Sequence, residues 1–241
     1  MRFPLNVRLA CQTTVNGEPV KLKRIIRDES DIGLYVGTNL ELSSQQIGEE
    51  LELVLFFFDL RDFTAFAESH LAFDVIHIIR KLFSNFQAII ESNKGKIIET
   101  MGDGFYAVFG YEKGIQDSVC AAVQAGLLII KELDILNETY FKPYFNQVIQ
   151  AGIGVHVGKV ISGEIRIGSV DHRVVMGFPV NIAARLQNAT KLLNNSFIIS
   201  SEAFSYLSEN LQGYTTTFIN LKGITDKVKV FLLGKAYFSN N

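Results

Sequence analysis

Tryptophan is absent from this 241-residue chain, and cysteine, methionine and proline are scarce, with two, three and four residues. The two cysteines, Cys11 and Cys120, cannot build the disulfide framework of a small secreted domain, so we expect a reducing, cytoplasmic setting. A dominant charge is also missing, because 23 basic and 25 acidic residues give a net charge of −2. This balance argues against a nucleic-acid partner and against binding to an anionic membrane.

No apolar run reaches the 18 or more residues of a membrane-spanning helix, so we expect no membrane segment. The two longest apolar stretches are interrupted by Asp59 and Lys131. The first residues do not combine a basic region, an apolar run and a small-residue cleavage site, so we expect no secretory leader. The length suits one good-sized domain with a smaller appendage.

The hydrophobic pattern divides the chain in two. Residues 1–46 alternate only weakly between apolar and polar positions and end in the polar run Ser43–Gln46. We predict a small β-rich appendage with a linker over residues 1–46, and a main domain over residues 47–241.

The main domain predicts alternating strands and helices. The apolar run Leu51–Phe58 is typical of a buried strand, and Phe73–Glu91 and Ile115–Leu136 have helical spacing. The other predicted elements are strands at Lys96–Met101, Phe105–Phe109, Ile149–Val157, Val160–Ile167, Arg173–Met176, Ser196–Ile199, Tyr214–Leu221 and Lys227–Leu233, and helices at Pro179–Ala189 and near Glu202–Glu209. The order βαββαβ indicates an α+β fold, a ferredoxin-like antiparallel sheet with packed helices.

Two details of the Ile149–Val157 strand indicate its surroundings. Gly152, Gly154 and Gly158 share one face, which predicts the close approach of a ligand or of another backbone. His156 lies on the same face, and we interpret it as a structural residue because no second His or Cys has the spacing of a metal site.

Two aspartates stand where apolar strands are predicted to end. Asp59 follows Phe56-Phe57-Phe58, and Asp103 lies in Gly102-Asp103-Gly104. Each alone has an ordinary explanation, a helix N-cap for Asp59 and a hairpin turn for Asp103. As a pair, two carboxylates at strand ends indicate a divalent-metal site for phosphate chemistry.

Four sequence blocks resemble the signature of class III nucleotidyl cyclase catalytic domains, in the order and spacing of that family. They are Phe58-Asp59-Leu60-Arg61-Asp62-Phe63-Thr64, Met101-Gly102-Asp103-Gly104, Gly152-Ile153-Gly154-Val155-His156-Val157-Gly158 and Val180-Asn181-Ile182-Ala183-Ala184-Arg185-Leu186. The resemblance extends from about Leu51 to the C-terminus. It implies cyclisation of a nucleoside triphosphate, with release of pyrophosphate, at sites shared by the two protomers of a homodimer.

The resemblance also implies a role for each matching residue. Two Mg²⁺ or Mn²⁺ ions would be held by Asp59 and Asp103, with the Leu60 carbonyl as a further ligand. Backbone N–H groups around Phe63 and Thr64 would cradle the triphosphate. On the following block, Asn181 would orient the ribose and Arg185 would stabilise charge on the α-phosphate. Lys222 resembles a lysine that contacts the terminal phosphates, although a solvated strand-end lysine explains it equally well.

The base-reading positions in this resemblance are Glu99 and Val174. Glutamate is the residue of guanine-specific relatives and can accept hydrogen bonds from guanine, whereas an ionised carboxylate cannot donate to adenine. Valine forms no hydrogen bond. GTP is therefore the favoured substrate, and ATP or a pyrimidine triphosphate, as in antiphage signalling, remain alternatives. A catalytically silent regulatory module is the non-enzymatic alternative, which the presence of both aspartates, Asn181 and Arg185 disfavours.

The first segment carries a second resemblance. Leu9–Gln12 and Asn16–Val20 are similar to the end of a plant-type ferredoxin domain. Only Cys11 lies in this segment, whereas a [2Fe–2S] cluster needs four ligands. We therefore expect no iron–sulfur cluster.

Overall fold

The computed structural model describes residues 48–167, 169–207 and 213–238. These ranges belong to one compact unit, Gly48–Asn241. The appendage and the ferredoxin-like segment predicted in residues 1–46 lie outside the described residues.

Eight strands and six α-helices follow one another along the described part of the chain. In chain order they are β1 (Glu49–Arg61), α1 (Phe63–Ser69), α2 (Ala72–Ser92), β2 (Gly95–Met101), β3 (Gly104–Phe109), α3 (Ile115–Leu136), α4 (Lys142–Phe145), β4 (Gln150–Ile167), β5 (Val170–Met176), α5 (Phe178–Leu192), β6 (Phe197–Ser200), α6 (Ser201–Phe204), β7 (Thr215–Ile219) and β8 (Val228–Leu232). A π-helical turn, Asn137–Phe141, joins α3 to α4.

One sheet contains all eight strands in the order β2-β3-β1-β4-β6-β8-β7, and β5 pairs with the outer half of β4. Neighbouring strands are antiparallel except β4 and β6, which are parallel. The predicted α+β class, an antiparallel-rich sheet with packed helices, is confirmed.

Strand β1 lies inside the sheet, between β3 and β4, and it is buried on both faces. Val54, Phe56 and Phe58 belong to the main core, whereas Leu53 and Leu55 pack in a second cluster on the opposite face. This two-sided burial explains why the central part of the strand, Leu53–Phe58, is apolar at every position instead of alternating. Each fully buried phenylalanine contributes about 1.5–3 kcal/mol relative to an exposed side chain.

The prediction of two strands between residues 149 and 167 was wrong. The two predicted strands, Ile149–Val157 and Val160–Ile167, are one continuous strand, β4. Gly158 does not end the strand, because it pairs with Leu53 and leaves room for the ring of Pro179. Of the helix predicted near Glu202–Glu209, the described residues include only the single turn α6, Ser201–Phe204. Within the described ranges, no helix has the length and hydropathy needed to cross a membrane.

Candidate active site

Strands β1 and β3 bring Asp59 and Asp103 to one edge of the sheet. Asp59 is near the end of β1 and pairs with Gly104 on one side and Gly152 on the other. Asp103 lies in the two-residue turn between β2 and β3. The backbone N–H of Leu60 donates to the backbone carbonyl of Asp103 at 3.3 Å. The two aspartates predicted to act together therefore lie on adjacent segments.

The electrostatic state of Asp59 reflects this placement. Burial raises the pKa of the Asp59 carboxyl from 3.8 to about 6, and the negative charge of Asp103 acts in the same direction. The Arg61 guanidinium and the Gln187 side chain oppose the rise in pKa. A half-buried carboxylate next to a second carboxylate is destabilised in its ionised form, and a bound cation would remove that penalty.

This pair of carboxylates fits a Mg²⁺-type site. Within the described residues, no group of three or more His, Cys, Asp or Glu side chains could enclose a metal ion. Mg²⁺ in phosphate-transfer sites commonly takes one or two carboxylates and completes its shell with substrate phosphates and water. The residues present thus suit an open site, in which water or substrate phosphate oxygens supply the remaining ligands of the ion.

The two ordinary explanations of these aspartates have different outcomes. Asp62, and not Asp59, is the N-cap of α1. Asp103 does occupy the hairpin turn, where Gly102 supplies the positive φ of 62°. Two-residue hairpin turns of type II′ place glycine at this first central position. A turn position leaves the Asp103 carboxylate free to bind a cation as well.

The start of α1 is where Phe63 and Thr64 were predicted to bind phosphate. The Phe63 side chain is buried and stacks on Phe66 at 5.3 Å between ring centroids, so only its backbone can face a ligand. Thr64 is exposed. No side chain caps this helix, and Asp62 has a left-handed conformation with φ 54°. Phosphate binding by Phe63 would therefore rely on its backbone N–H group.

Helix α5 carries Asn181 and Arg185 and packs on the glycine face of β4. A Cβ atom built on Gly154 would lie 2.2 Å from the backbone nitrogen of Gln187 and 2.7 Å from the Ala183 carbonyl oxygen. The glycine face of β4 therefore accommodates the backbone of α5, which is one of the two explanations predicted for the glycines. The alternative of a ligand filling this face is wrong because α5 already covers it.

The two faces of α5 have different roles. Ala183, Gln187 and Thr190 recur at helical spacing and are buried. Each residue advances about 100° around a helix, so residues two apart lie on nearly opposite sides. Asn181 and Arg185, four apart, therefore share the outer face, away from β4. We refer to the Ala183, Gln187 and Thr190 side as the inner face.

Arg185 contacts the turn that contains Lys222. A Cβ atom built on Gly223, which has φ +75°, would lie 3.5 Å from both Nη1 and Nη2 of Arg185. Nη1 is buried without a hydrogen-bond partner. Lys222 itself is exposed. The structure thus brings the predicted arginine and the segment of the predicted lysine together, and the arginine has an unused donor.

The base-reading candidates lie on strands that contact each other. Glu99 is exposed on β2, just after a register shift between Ile97 and Glu99. Val174 is half-buried on β5, and β5 contacts β2. Glu99 pairs across the sheet with Tyr106. The ring of Tyr106 stacks on Phe57 at 4.6 Å, and its buried hydroxyl has no hydrogen-bond partner.

Sequence reasoning missed the side chain of Arg61. Its Nη2 donates to the Gln187 carbonyl at 3.0 Å and to the Thr190 hydroxyl, and its Nε donates to the Tyr237 hydroxyl at 3.3 Å. Gly152 makes room for it, since a Cβ atom there would lie 2.3 Å from Nη2. Arg61 therefore links β1 to the inner face of α5. The only sequence signal was the lack of a side chain at Gly152.

His156 is structural, as predicted. It is buried, and its Nδ1 forms a 2.8 Å hydrogen bond with the Ser200 hydroxyl. Burial lowers the pKa of the imidazole to about 4, against a smaller opposite effect of Glu202. His156 is thus neutral at physiological pH.

Comparisons with known proteins identify the family. The family model described as adenylate and guanylate cyclase catalytic domain matches residues 46–235. The chain therefore belongs to the family of adenylate and guanylate cyclase catalytic domains. A receptor-type guanylate cyclase, gcy-13 of Caenorhabditis elegans, is 26% identical over 206 residues, which are 81% of this chain and 20% of that protein. The chain thus spans a fifth of that relative's length.

Solved structures share the fold. The guanylyl cyclase Cya2 superposes with a TM-score of 0.71 at 24% identity, covering 80% of this chain and 97% of that chain. The adenylyl cyclase CyaB from P. aeruginosa superposes with a TM-score of 0.69 at 21% identity, covering 80% of this chain and 96% of that chain. Both an adenylyl and a guanylyl cyclase thus resemble the chain at similar levels, so the fold does not select the base.

Proposed function

We propose that the protein is a nucleotidyl cyclase that converts a nucleoside triphosphate to its 3′,5′-cyclic nucleotide and pyrophosphate. The observation that carries this proposal is the placement of Asp59 and Asp103 on adjacent segments, with a raised pKa at Asp59. The ribose 3′ oxygen forms a bond to the α-phosphorus and releases its proton. The bond between the α-phosphorus and the oxygen that bridges to the β-phosphate breaks, and pyrophosphate leaves. Mg²⁺ or Mn²⁺, when bound, supplies Lewis acidity that favours the ionised hydroxyl and stabilises the leaving group.

The chain's own residues divide the remaining tasks. The two aspartates, with the Leu60 carbonyl, hold the cations, and the backbone at Phe63 and Thr64 binds phosphate oxygens. Arg185 places its unpaired Nη1 at the developing charge on the α-phosphate, and Asn181 on the same helix face holds the ribose. Lys222, in the turn next to Arg185, contacts the terminal phosphates.

The active unit is a homodimer. Asp59 is close to the inner face of α5, whereas Asn181 and Arg185 lie on the outer face, where the Arg185 guanidinium rests against Gly223. One protomer therefore presents its cation ligands and its arginine in different directions, which supports a site completed by a second copy.

Mixing two inactive variants tests this arrangement. Asp103→Ala removes a cation ligand, and Arg185→Ala removes the arginine of the other half-site. We expect each variant alone to be inactive and an equimolar, freely exchanging mixture to recover about a quarter of the parental activity, because half of the dimers regain one of two sites. A mixture as inactive as its components would contradict the shared site.

We propose GTP as the preferred substrate. The support is Glu99, whose carboxylate can accept hydrogen bonds from guanine but cannot donate to adenine. ATP is the second candidate because the adenylyl cyclase CyaB has a similar fold. Incubating the full chain with each of the four nucleoside triphosphates and Mn²⁺, followed by chromatography of the products, decides between them. Turnover of ATP alone would show that the interpretation of Glu99 is wrong, and turnover of CTP or UTP alone would assign the pyrimidine alternative.

A further inference from the structure

Gln187 is a buried polar residue whose side-chain nitrogen, Nε2, has no hydrogen-bond partner. It is 5% exposed, and its Nε2 is one of three buried side-chain polar atoms without a partner in the described residues, with the Tyr106 hydroxyl and Arg185 Nη1. Buried amides are nearly always hydrogen-bonded, and an unpaired one weakens the fold. Its presence at this position therefore needs an explanation other than stability.

The backbone of Gln187 is fixed from two sides. Its carbonyl oxygen accepts a hydrogen bond from Arg61 Nη2 at 3.0 Å. Its backbone nitrogen lies directly over Gly154, where a Cβ atom would come within 2.2 Å. Because Arg61 is two residues from Asp59, these contacts set the position of Gln187 relative to the end of β1. The side chain thus starts from a fixed point next to a candidate cation ligand.

The neighbourhood of Asp59 offers few free donors. The residues that pair with Asp59 on the two neighbouring strands are Gly104 and Gly152, which have no side chains. The Arg61 guanidinium is already used by Gln187, Thr190 and Tyr237. The Gln187 side chain is close enough to lower the pKa of Asp59, although its Nε2 does not reach hydrogen-bond geometry. Gln187 is thus a neutral donor next to this carboxylate.

We propose that Gln187 is a positioning residue for Asp59: its Nε2 donates to one carboxylate oxygen once a cation is bound and leaves the other oxygen oriented toward the cation. This inference rests on the proposed function only in taking Asp59 as a cation ligand. A neutral amide suits the task because it orients a carboxylate without competing for the cation, as donors around metal ligands generally do.

The test is Mn²⁺ binding to the full chain without nucleotide, measured by the electron paramagnetic resonance of free Mn²⁺. Gln187→Leu keeps a similar volume and removes the donor. A hydrogen bond to a charged group corresponds to about a tenfold change in affinity, so we expect Mn²⁺ to bind about tenfold more weakly. Without metal, we expect the melting temperature to stay the same or rise, because an unpaired buried amide is removed.

The matched control is Asn188→Leu, the same kind of change at the next residue of α5. Asn188 is exposed and donates to the Ala184 carbonyl at 3.0 Å, away from Asp59. We expect this variant to bind Mn²⁺ as the parent does. Should Gln187→Leu fail to fold, Gln187→Met, which is unbranched and also lacks a donor, takes its place.

Two results would overturn the inference, and they differ from a failure of the proposed function. The first is an unchanged Mn²⁺ affinity in a folded Gln187→Leu protein when Asp59→Ala does weaken binding, which would show that Gln187 has no role in positioning Asp59. A loss of Mn²⁺ affinity shared equally by Asn188→Leu would indicate a general disturbance of α5. If the parent bound no Mn²⁺, or Asp59→Ala bound it normally, the cation site of the proposed function would be wrong and this inference with it.

Discussion

Replacing Asp59 with asparagine should make the metal-free protein more stable while abolishing its response to Mn²⁺. The pKa of Asp59 rises from 3.8 to about 6 in the folded protein. One pKa step corresponds to about 1.4 kcal/mol, and solvent screening of this half-buried group reduces the total penalty at neutral pH to about 1–2 kcal/mol. Asparagine has nearly the same shape and no charge, so it removes the penalty.

The sign of the pH dependence follows from the direction of the shift. Between about pH 4 and pH 6, the folded protein binds more protons at Asp59 than the unfolded chain does. The contribution of Asp59 to stability is therefore most favourable below this window and is lost as the pH rises through it. The difference in unfolding free energy between variant and parent should be near zero at pH 4 and reach its full value above pH 6.

Thermal unfolding in EDTA at several pH values measures this difference. A change of 1 kcal/mol moves the melting temperature by about 2–4 °C in a domain of this size, so we expect a rise of about 2–8 °C at pH 7.5. Mn²⁺ should stabilise the parent by about 2.7 kcal/mol at a hundredfold excess over Kd and leave Asp59→Asn unchanged. An asparagine variant less stable than the parent at pH 7.5 would refute the argument that Asp59 is held in a destabilised, ionised state.

Three further changes test other parts of the structure. Tyr106→Phe removes an unpaired buried hydroxyl and should raise the unfolding free energy by about 1 kcal/mol in a denaturant titration; a loss would indicate a hidden partner. His156→Asn should remove the loss of stability on acidification from pH 6.5 to 4, because a pKa lowered to about 4 makes the unfolded chain bind more protons in that window. Gly154→Ala places a Cβ atom within 2.2 Å of the α5 backbone and should lower the unfolding free energy by about 3 kcal/mol, measured by thermal unfolding. The control Gly114→Ala, where a Cβ atom would have nothing within 4 Å, should lower it by less than about 1 kcal/mol. Equal losses in the two variants would contradict the close packing at Gly154.

The sequence predicted those elements whose pattern is local. Helix α3 has the predicted bounds Ile115–Leu136, and the hairpin around Gly102 and Asp103 forms as its turn residues indicate. Periodicity and turn chemistry are properties of neighbouring residues, so one chain suffices to recognise them. The same local reasoning divided β4 at Gly158 because the fit of Pro179 against that glycine is a tertiary contact.

The parts of the site that were missed depend on contacts between distant residues. Arg61 and the Gln187 carbonyl are 126 positions apart in the chain. Neither residue type signals this contact, since an arginine after a strand and a glutamine on a helix are ordinary surface residues. Only the missing side chain at Gly152 marked the place where the guanidinium fits. Their place at predicted strand ends, together with the resemblance, located the aspartates, and the fold then showed what surrounds them.

In the proposed homodimer, helix α5 would connect the two half-sites of one protomer. Its inner face carries Gln187, the proposed positioning residue for Asp59, and is held to β1 by Arg61, whereas its outer face carries Asn181 and Arg185. In a head-to-tail homodimer these two faces serve different active sites. A displacement of α5 would therefore disturb the cation ligands of one site and the arginine of the other together. Gly154→Ala should accordingly restore no activity when it is mixed with either Asp103→Ala or Arg185→Ala, although those two variants restore each other.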